Sequence, residues 1–141
     1  MPKITSVLLV DDDPTNNFLN ERLLKRLDVA EHVLVAENGQ AALAVLYQGT
    51  IGLQPGFPSL ILLDIQMPIM NGIEFLQAYQ QLSLAQQRAT TVVVLTTSMD
   101  ARDLARLDAL PAAGLLNKPL TPEKLDTVLQ LHFNRQQSLS A

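Results

Sequence analysis

Along the chain, short uninterrupted apolar runs alternate with longer segments in which apolar residues recur three and four positions apart. The runs Val7 to Val10, His32 to Ala36, Leu60 to Leu63, Thr91 to Leu95 and Gly114 to Leu116 have strand length and are rich in Val, Ile and Leu. Between and after them the spacing predicts five helices. Leu19, Leu23 and Leu27 line the first, and Ala42, Leu43 and Leu46 the second. Ile73, Leu76 and Tyr79 line the third, Leu104, Ala105 and Leu107 the fourth, and Leu125, Val128 and Leu129 the fifth. Continuous rather than alternating apolar strands are expected where helices cover both faces of a sheet, so the pattern predicts an α/β doubly wound parallel sheet. Helix-start signals agree: Asp13 precedes Pro14, and Thr121 precedes Pro122.

Composition narrows the class. The chain has 141 residues, 48% hydrophobic and 17% charged, which suits one globular domain and excludes a disordered chain. Residues 1–133 are read as that domain, and the polar residues 134–141 as a tail expected to fray. No apolar run approaches the roughly 20 residues of a membrane span, and the first ten residues lack a signal peptide's pattern, so a cytoplasmic protein is expected. With no cysteine, any metal must sit on oxygen or histidine. A net charge of -4 argues against a nucleic-acid partner.

In a parallel sheet, ligands bind beyond the carboxyl ends of the strands. The residues there are Asp11, Asp12 and Asp13 after the first strand, Asp64 after the third, Thr96 and Thr97 after the fourth, and Asn117 and Lys118 after the fifth. Carboxylates with a lysine and a hydroxyl suit a hard divalent cation and phosphate. Each has a plainer alternative. The three aspartates could be a polar loop, and Asp13 reads better as a helix cap than as a ligand. Asp64 could be an ordinary strand-end acid, and Lys118 a surface charge. Thr97 and Ser98 leave the register of Thr96 open. His32 and His132 lack partner motifs and read as a strand-edge and a helix-end residue. The Leu and Met positions are assigned to the core.

Taken together, Val7-Leu8-Leu9-Val10-Asp11-Asp12-Asp13, Leu63-Asp64-Ile65-Gln66-Met67-Pro68-Ile69-Met70-Asn71-Gly72, Val94-Leu95-Thr96-Thr97 and Asn117-Lys118-Pro119 resemble the bacterial response-regulator receiver family, from about Ser6 to Leu131. The likeness is to its single-domain, chemotaxis-response-regulator-like members. It implies a flavodoxin-like five-stranded sheet of order 2-1-3-4-5. It implies a signalling domain of a two-component system or phosphorelay, not an enzyme beyond its own phosphoryl transfer and dephosphorylation. Asp64 is implied as phosphoacceptor, giving an aspartyl phosphate. Mg²⁺, or Mn²⁺, would be held by Asp12, Asp64 and the backbone carbonyl of Gln66, with Asp11 acting through water. Thr96 is the implied switch hydroxyl and Lys118 the phosphate-binding lysine. The donor would be a sensor histidine kinase or histidine phosphotransfer protein. Output would pass to an unidentified protein target or onward by phosphotransfer, from a monomer or a phosphorylation-dependent dimer.

Two departures stand out. The family commonly carries an aromatic residue two positions before Asn117, and Leu115 stands there, which implies a leucine-packed version of the switch. Gln66 and Ser98 occupy positions that tune phosphate lifetime in the family. The connection from Gln48 to Ser59 is long and reads as a folded-back loop ahead of a partner-binding one. The face of the fourth helix, fifth strand and fifth helix, with Arg102, Arg106 and Leu115, is the expected partner surface. Two other functions fit parts of the pattern. Asp11-Asp12-Asp13-Pro14-Thr15 also satisfies the Asp-x-Asp-x-Thr motif of haloacid-dehalogenase-like phosphatases, with Asp11 as nucleophile. A pseudo-receiver would share the fold and never take phosphate.

Overall fold

The structure is a computed structural model, and it describes residues 3–51, 54–55, 57–97 and 101–133. In chain order the elements are β1 (Ile4–Val10), α1 (Pro14–Leu27), β2 (Ala30–Ala36), α2 (Gly39–Gln48), β3 (Thr50–Ile51), β4 (Gln54–Pro55) and β5 (Leu60–Leu63). There follow α3 (Gly72–Tyr79), α4 (Leu84–Arg88), β6 (Thr91–Thr96), α5 (Ala101–Asp108), β7 (Gly114–Asn117) and α6 (Pro122–Phe133). The main sheet is parallel throughout, in the order β2-β1-β5-β6-β7. Counting its own five strands along the chain, that is 2-1-3-4-5, the flavodoxin-like order.

Two apolar layers explain the unbroken strands. Leu8, Val10, Ile61, Leu63, Val92 and Val94 point to one face, where α2 and α3 cover them with Leu43, Leu46, Phe75 and Leu76. The alternate residues, including Leu9, Leu60, Leu62, Val93 and Leu95, meet Leu24 of α1 and Leu125, Val128 and Leu129 of α6 on the other. Both faces are therefore dry in β1, β5 and β6. The edge strands β2 and β7 are only partly covered, so their pattern is intermediate and exposed by turns.

Several expectations need correction. Leu24, fully buried, anchors α1, whereas Leu19 is 55% exposed and Leu23 and Leu27 are half-buried. The helix begins at Pro14 under its Asp13 cap as expected, the Asp13 side chain accepting from the Thr15 N–H at 2.9 Å, but it turns Leu24 rather than Leu19 onto the sheet. On α5 only Leu107 is buried; Leu104 and Ala105 face solvent, since this helix crosses the poorly covered edge of the sheet. Leu84, Leu115 and Leu131 are likewise exposed rather than core.

The described residues hold six helices, not five. The additional one, α4, buries no residue and so leaves no apolar period; its signal is the capping box of Ser83 and Gln86. It is tied down by polar bonds instead, with the Tyr79 hydroxyl donating to Gln87 O at 3.0 Å and Gln87 Nε2 donating to Leu82 O at 2.8 Å. In the long connection, Gly49 ends α2 at φ +67, a left-handed position suited to glycine, and β3 and β4 then pair antiparallel. The chain folds back there, and Phe57 packs against the core. Residues 52, 53 and 56 of that connection, Ser98, and the tail 134–141 lie outside the described residues.

The reassigned face of α1 has a measurable consequence. Leu24→Ala should cost about 2–5 kcal/mol by urea unfolding. Leu19→Ala should change stability by no more than about 0.5 kcal/mol. Equal costs would restore the stripe expected from the sequence.

Candidate functional site

Strand register decides what meets at the sheet edge. Val10 of β1 lies opposite Leu63 of β5, and the Asp64 N–H donates to Val10 O at 2.9 Å, so Asp11 and Asp64 leave neighbouring strands side by side. Asp12 follows on the loop crest and is exposed, while Asp11 and Asp64 are 5% and 7% exposed. One carboxylate oxygen from each of Asp11, Asp12 and Asp64 lies within 4.8 Å of the others. This all-oxygen donor set suits a hard divalent cation.

Lys118 reaches the same place from the loop after β7. Its Nζ is 2.8 Å from Asp11 Oδ2 and 3.5 Å from Asp64 Oδ2. The Asp11 carboxylate is further held by the Asp13 N–H at 2.9 Å and by Asn16 Nδ2 at 3.4 Å. Asp13 thus caps α1 and pins Asp11, without joining the cluster. Thr96 is the buried last residue of β6, and its carbonyl accepts from the Lys118 N–H at 2.8 Å; Thr97 beyond it is exposed. Thr96 also lies opposite Asn117 in the ladder. Leu115, 45% exposed, sits farther back on β7, where it lines a shallow groove of about 180 Å³ with Leu104 and Leu107.

The turn from β5 into α3 depends on close approach. A Cβ on Gly72 would come within 2.5 Å of Asp64 O, and the Gly72 N–H donates to Ile65 O at 3.0 Å. Only glycine lets α3 begin so close to the strand end. Before it, the Met70 N–H donates to Pro68 O at 2.7 Å across Ile69, whose φ is +67. Met70 O in turn accepts from the Gly39 N–H at 2.9 Å, fastening this loop to the start of α2.

Electrostatics follow from the geometry. Burial holds the Asp64 carboxyl above the ordinary carboxylate range; Lys118 opposes this, Asp11 adds to it, and the backbone N–H groups of Gln66 and Ile65 oppose it. Burial works against the charge on Lys118, but the hydrogen bond it donates to Asp11 and the charges of Asp64 and Asp11 prevail and raise its pKa. Three carboxylates against one ammonium leave a local excess of negative charge.

Sequence reasoning missed Asn16 and Asn17. Asn17 is buried on α1 and donates from Nδ2 to Asp11 O at 2.7 Å. Its only signal was a pair of amides one turn after the acidic run, indistinguishable from a solvated helix face.

Comparison with known proteins identifies the family and the fold. Residues 7–130 match the family described as response regulator receiver domain. The chain is 32% identical over 135 residues to the transcriptional regulatory protein MalR of Bacillus subtilis, covering 96% of this chain and 53% of that one. It is 33% identical to the autoinducer 1 sensor kinase/phosphatase LuxN of Vibrio harveyi, covering 96% of this chain but 14% of the kinase. Against the two-component response regulator ARR22 of Arabidopsis thaliana the identity is 32%, covering 94% of this chain and 86% of that protein. This chain thus spans about half of MalR, a small part of LuxN and most of ARR22. A crystal structure of a two-component response regulator from Cytophaga hutchinsonii superposes with a TM-score of 0.81 at 32% identity, covering 94% and 98% of the two chains. The chemotaxis protein CheY4 of Vibrio cholerae gives 0.75 at 28% identity, covering 92% and 99%.

The raised Asp64 pKa fixes a sign. Below the ordinary value of 3.8 Asp64 is protonated whether folded or not; as pH rises through the folded-state pKa, ionising it in its buried place costs stability. Asp64→Asn should therefore raise the metal-free melting temperature at pH 7, and the gain should vanish as pH falls towards 3.8. A lower melting temperature for this variant at pH 7 would contradict the burial account.

Proposed function

This chain belongs to the response regulator receiver domain family, a signalling domain of two-component systems rather than an enzyme in the usual sense, and we propose that Asp64 is its phosphoacceptor. The observation that carries this is the buried Asp64 carboxylate at a strand end, 3.5 Å from Lys118 and grouped with Asp11 and Asp12. Members of the family are phosphorylated by histidine kinases, and a sensor histidine kinase or phosphotransfer protein is the donor proposed here. The similarity to LuxN, itself a sensor kinase, supports that pairing. A cytoplasmic setting goes with such a donor.

In the proposed step an Asp64 oxygen forms a bond to phosphorus while the bond from phosphorus to the donor breaks, the electron pair leaving with the donor group. Anion attacking anion is the difficulty, and positive charge at the site is what relieves it. Mg²⁺, or Mn²⁺, would be held by Asp12, Asp64 and the Gln66 carbonyl, supplying charge neutralisation for the phosphoryl oxygens. Asp11 is already engaged by Lys118 at 2.8 Å and by the Asp13 N–H, which supports an indirect role through water. The same engagement speaks against Asp11 as a phosphatase nucleophile. Lys118 is the residue that would turn from the carboxylates to the phosphoryl oxygens.

Thr96, at the buried end of β6, would be drawn to the new acceptor oxygens and would bias α5 and β7. The proposed partner surface is that of α5, β7 and α6. Arg102, Arg106 and Leu115 on it are exposed, and Leu115 takes the place of the usual aromatic. Among the described residues, no helix is long and apolar enough to cross a membrane.

Incubation with a small acyl phosphate and Mg²⁺ tests the proposal. A phosphoryl label should appear in the wild type, disappear in Asp64→Ala and persist in Asp11→Ala at a lower rate. Lys118→Ala should slow labelling by roughly 10²-fold, as loss of a charge-stabilising donor does. Label retained in Asp64→Ala and lost in Asp11→Ala would instead indicate the phosphatase chemistry. A wild type that takes neither label nor Mg²⁺ would be a pseudo-receiver.

A further inference from the structure

Asn17 does more than fill space beneath the acidic loop. Its amide orientation is fixed, because Nδ2 lies 2.7 Å from the Asp11 carbonyl and a flipped amide would set oxygen against oxygen. Oδ1 therefore points elsewhere, and it is buried with no hydrogen-bond partner among the described residues. Leaving an acceptor so placed is costly. Beside it lies a cavity of about 10 Å³ walled by Leu62 and Leu95 and edged by Asp11, Asn17, Asn20 and Asp64. That volume is about the minimum for a single water molecule, and the polar edges offer the two to four partners a buried water requires. Asn20 also borders an open groove of about 550 Å³ between α1 and the loop after β7, so the cavity is one side chain away from solvent.

We propose that this cavity is a site for one internal water, and that Asn17 is a positioning residue whose Nδ2 holds the Asp11 carbonyl while its Oδ1 accepts a hydrogen bond from that water. Asp11 is then fixed at both ends, its carbonyl by Asn17 and its carboxylate by Lys118 and the Asp13 N–H. The water joins the α1 anchor to the floor between β1 and β5. The acidic loop is set in place before any metal or phosphoryl group arrives. That the fixed loop serves metal and phosphate capture rests on the function proposed above.

Two measurements on the metal-free protein decide it. A high-resolution crystal structure should place an ordered water within hydrogen-bond distance of Asn17 Oδ1; a dry cavity would overturn the proposal. Amide exchange should then be compared between wild type, Asn17→Leu, which keeps similar bulk and removes both bonds, and Asn17→Ser, which keeps a polar group and leaves room for more water. In Asn17→Leu the amides of Asp11 and Asp13 should exchange about tenfold faster while those of Leu9 and Leu62 do not, with partial recovery in Asn17→Ser. Uniform acceleration across all four amides, or none, would reduce Asn17 to a packing residue and overturn the proposal. Neither measurement uses metal or a phosphodonor, so the water site can fail while Asp64 labelling succeeds, and the reverse.

Discussion

The ion pair between Lys118 and Asp11, 2.8 Å long and almost enclosed, is the interaction on which the sheet edge depends. Strand register delivers Asp11 and Asp64 to adjoining positions whether or not their charges agree, because the apolar residues behind them fix the ladder. Two buried carboxylates side by side repel, and burial penalises the charge on Asp64. One lysine from the loop after β7 relieves this in part. The remaining excess of negative charge is what makes the edge receptive to a divalent cation. Stability and the proposed binding role thus oppose each other at Asp64, a tension common at functional sites.

The same geometry orders the roles of the three aspartates. Asp13 faces the start of α1 and caps it. Asp11 faces inward and is held by a lysine, a backbone N–H and an amide, which leaves it little freedom to act directly. Asp12 is exposed at the crest, while Asp64, at the end of β5, lies farther from Lys118 than Asp11 does. A run of three identical residues is therefore divided into a cap, a brace and an exposed acid, the last being the proposed metal ligand.

The parts legible in the sequence were those governed by short-range rules. Strand β5 was readable to the residue because both faces are buried and Pro58 and Asp64 bracket it. The caps at Asp13 and Thr121 were readable because the following proline leaves few alternatives. The register of α1 was not, since Leu19, Leu23, Leu24 and Leu27 offer two stripes and only packing against β1 and β2 chooses Leu24. Helix α4 escaped because it buries nothing. The contribution of Asn17 depends on an Nδ2 contact with a carbonyl six residues earlier, which no apolar period encodes. Leu115 was singled out as a departure, and its exposure on an edge strand leaves the α5 to β7 groove apolar where family members commonly have a ring.

All of these arrangements converge on one atom group, the Asp64 carboxylate. An acyl phosphate formed there is reduced by borohydride to an alcohol, turning the aspartate into homoserine, and peptide mass spectrometry locates the change. After reaction with a small acyl phosphate and Mg²⁺, homoserine at position 64 is the predicted result. Homoserine at position 11, or at neither, would contradict it.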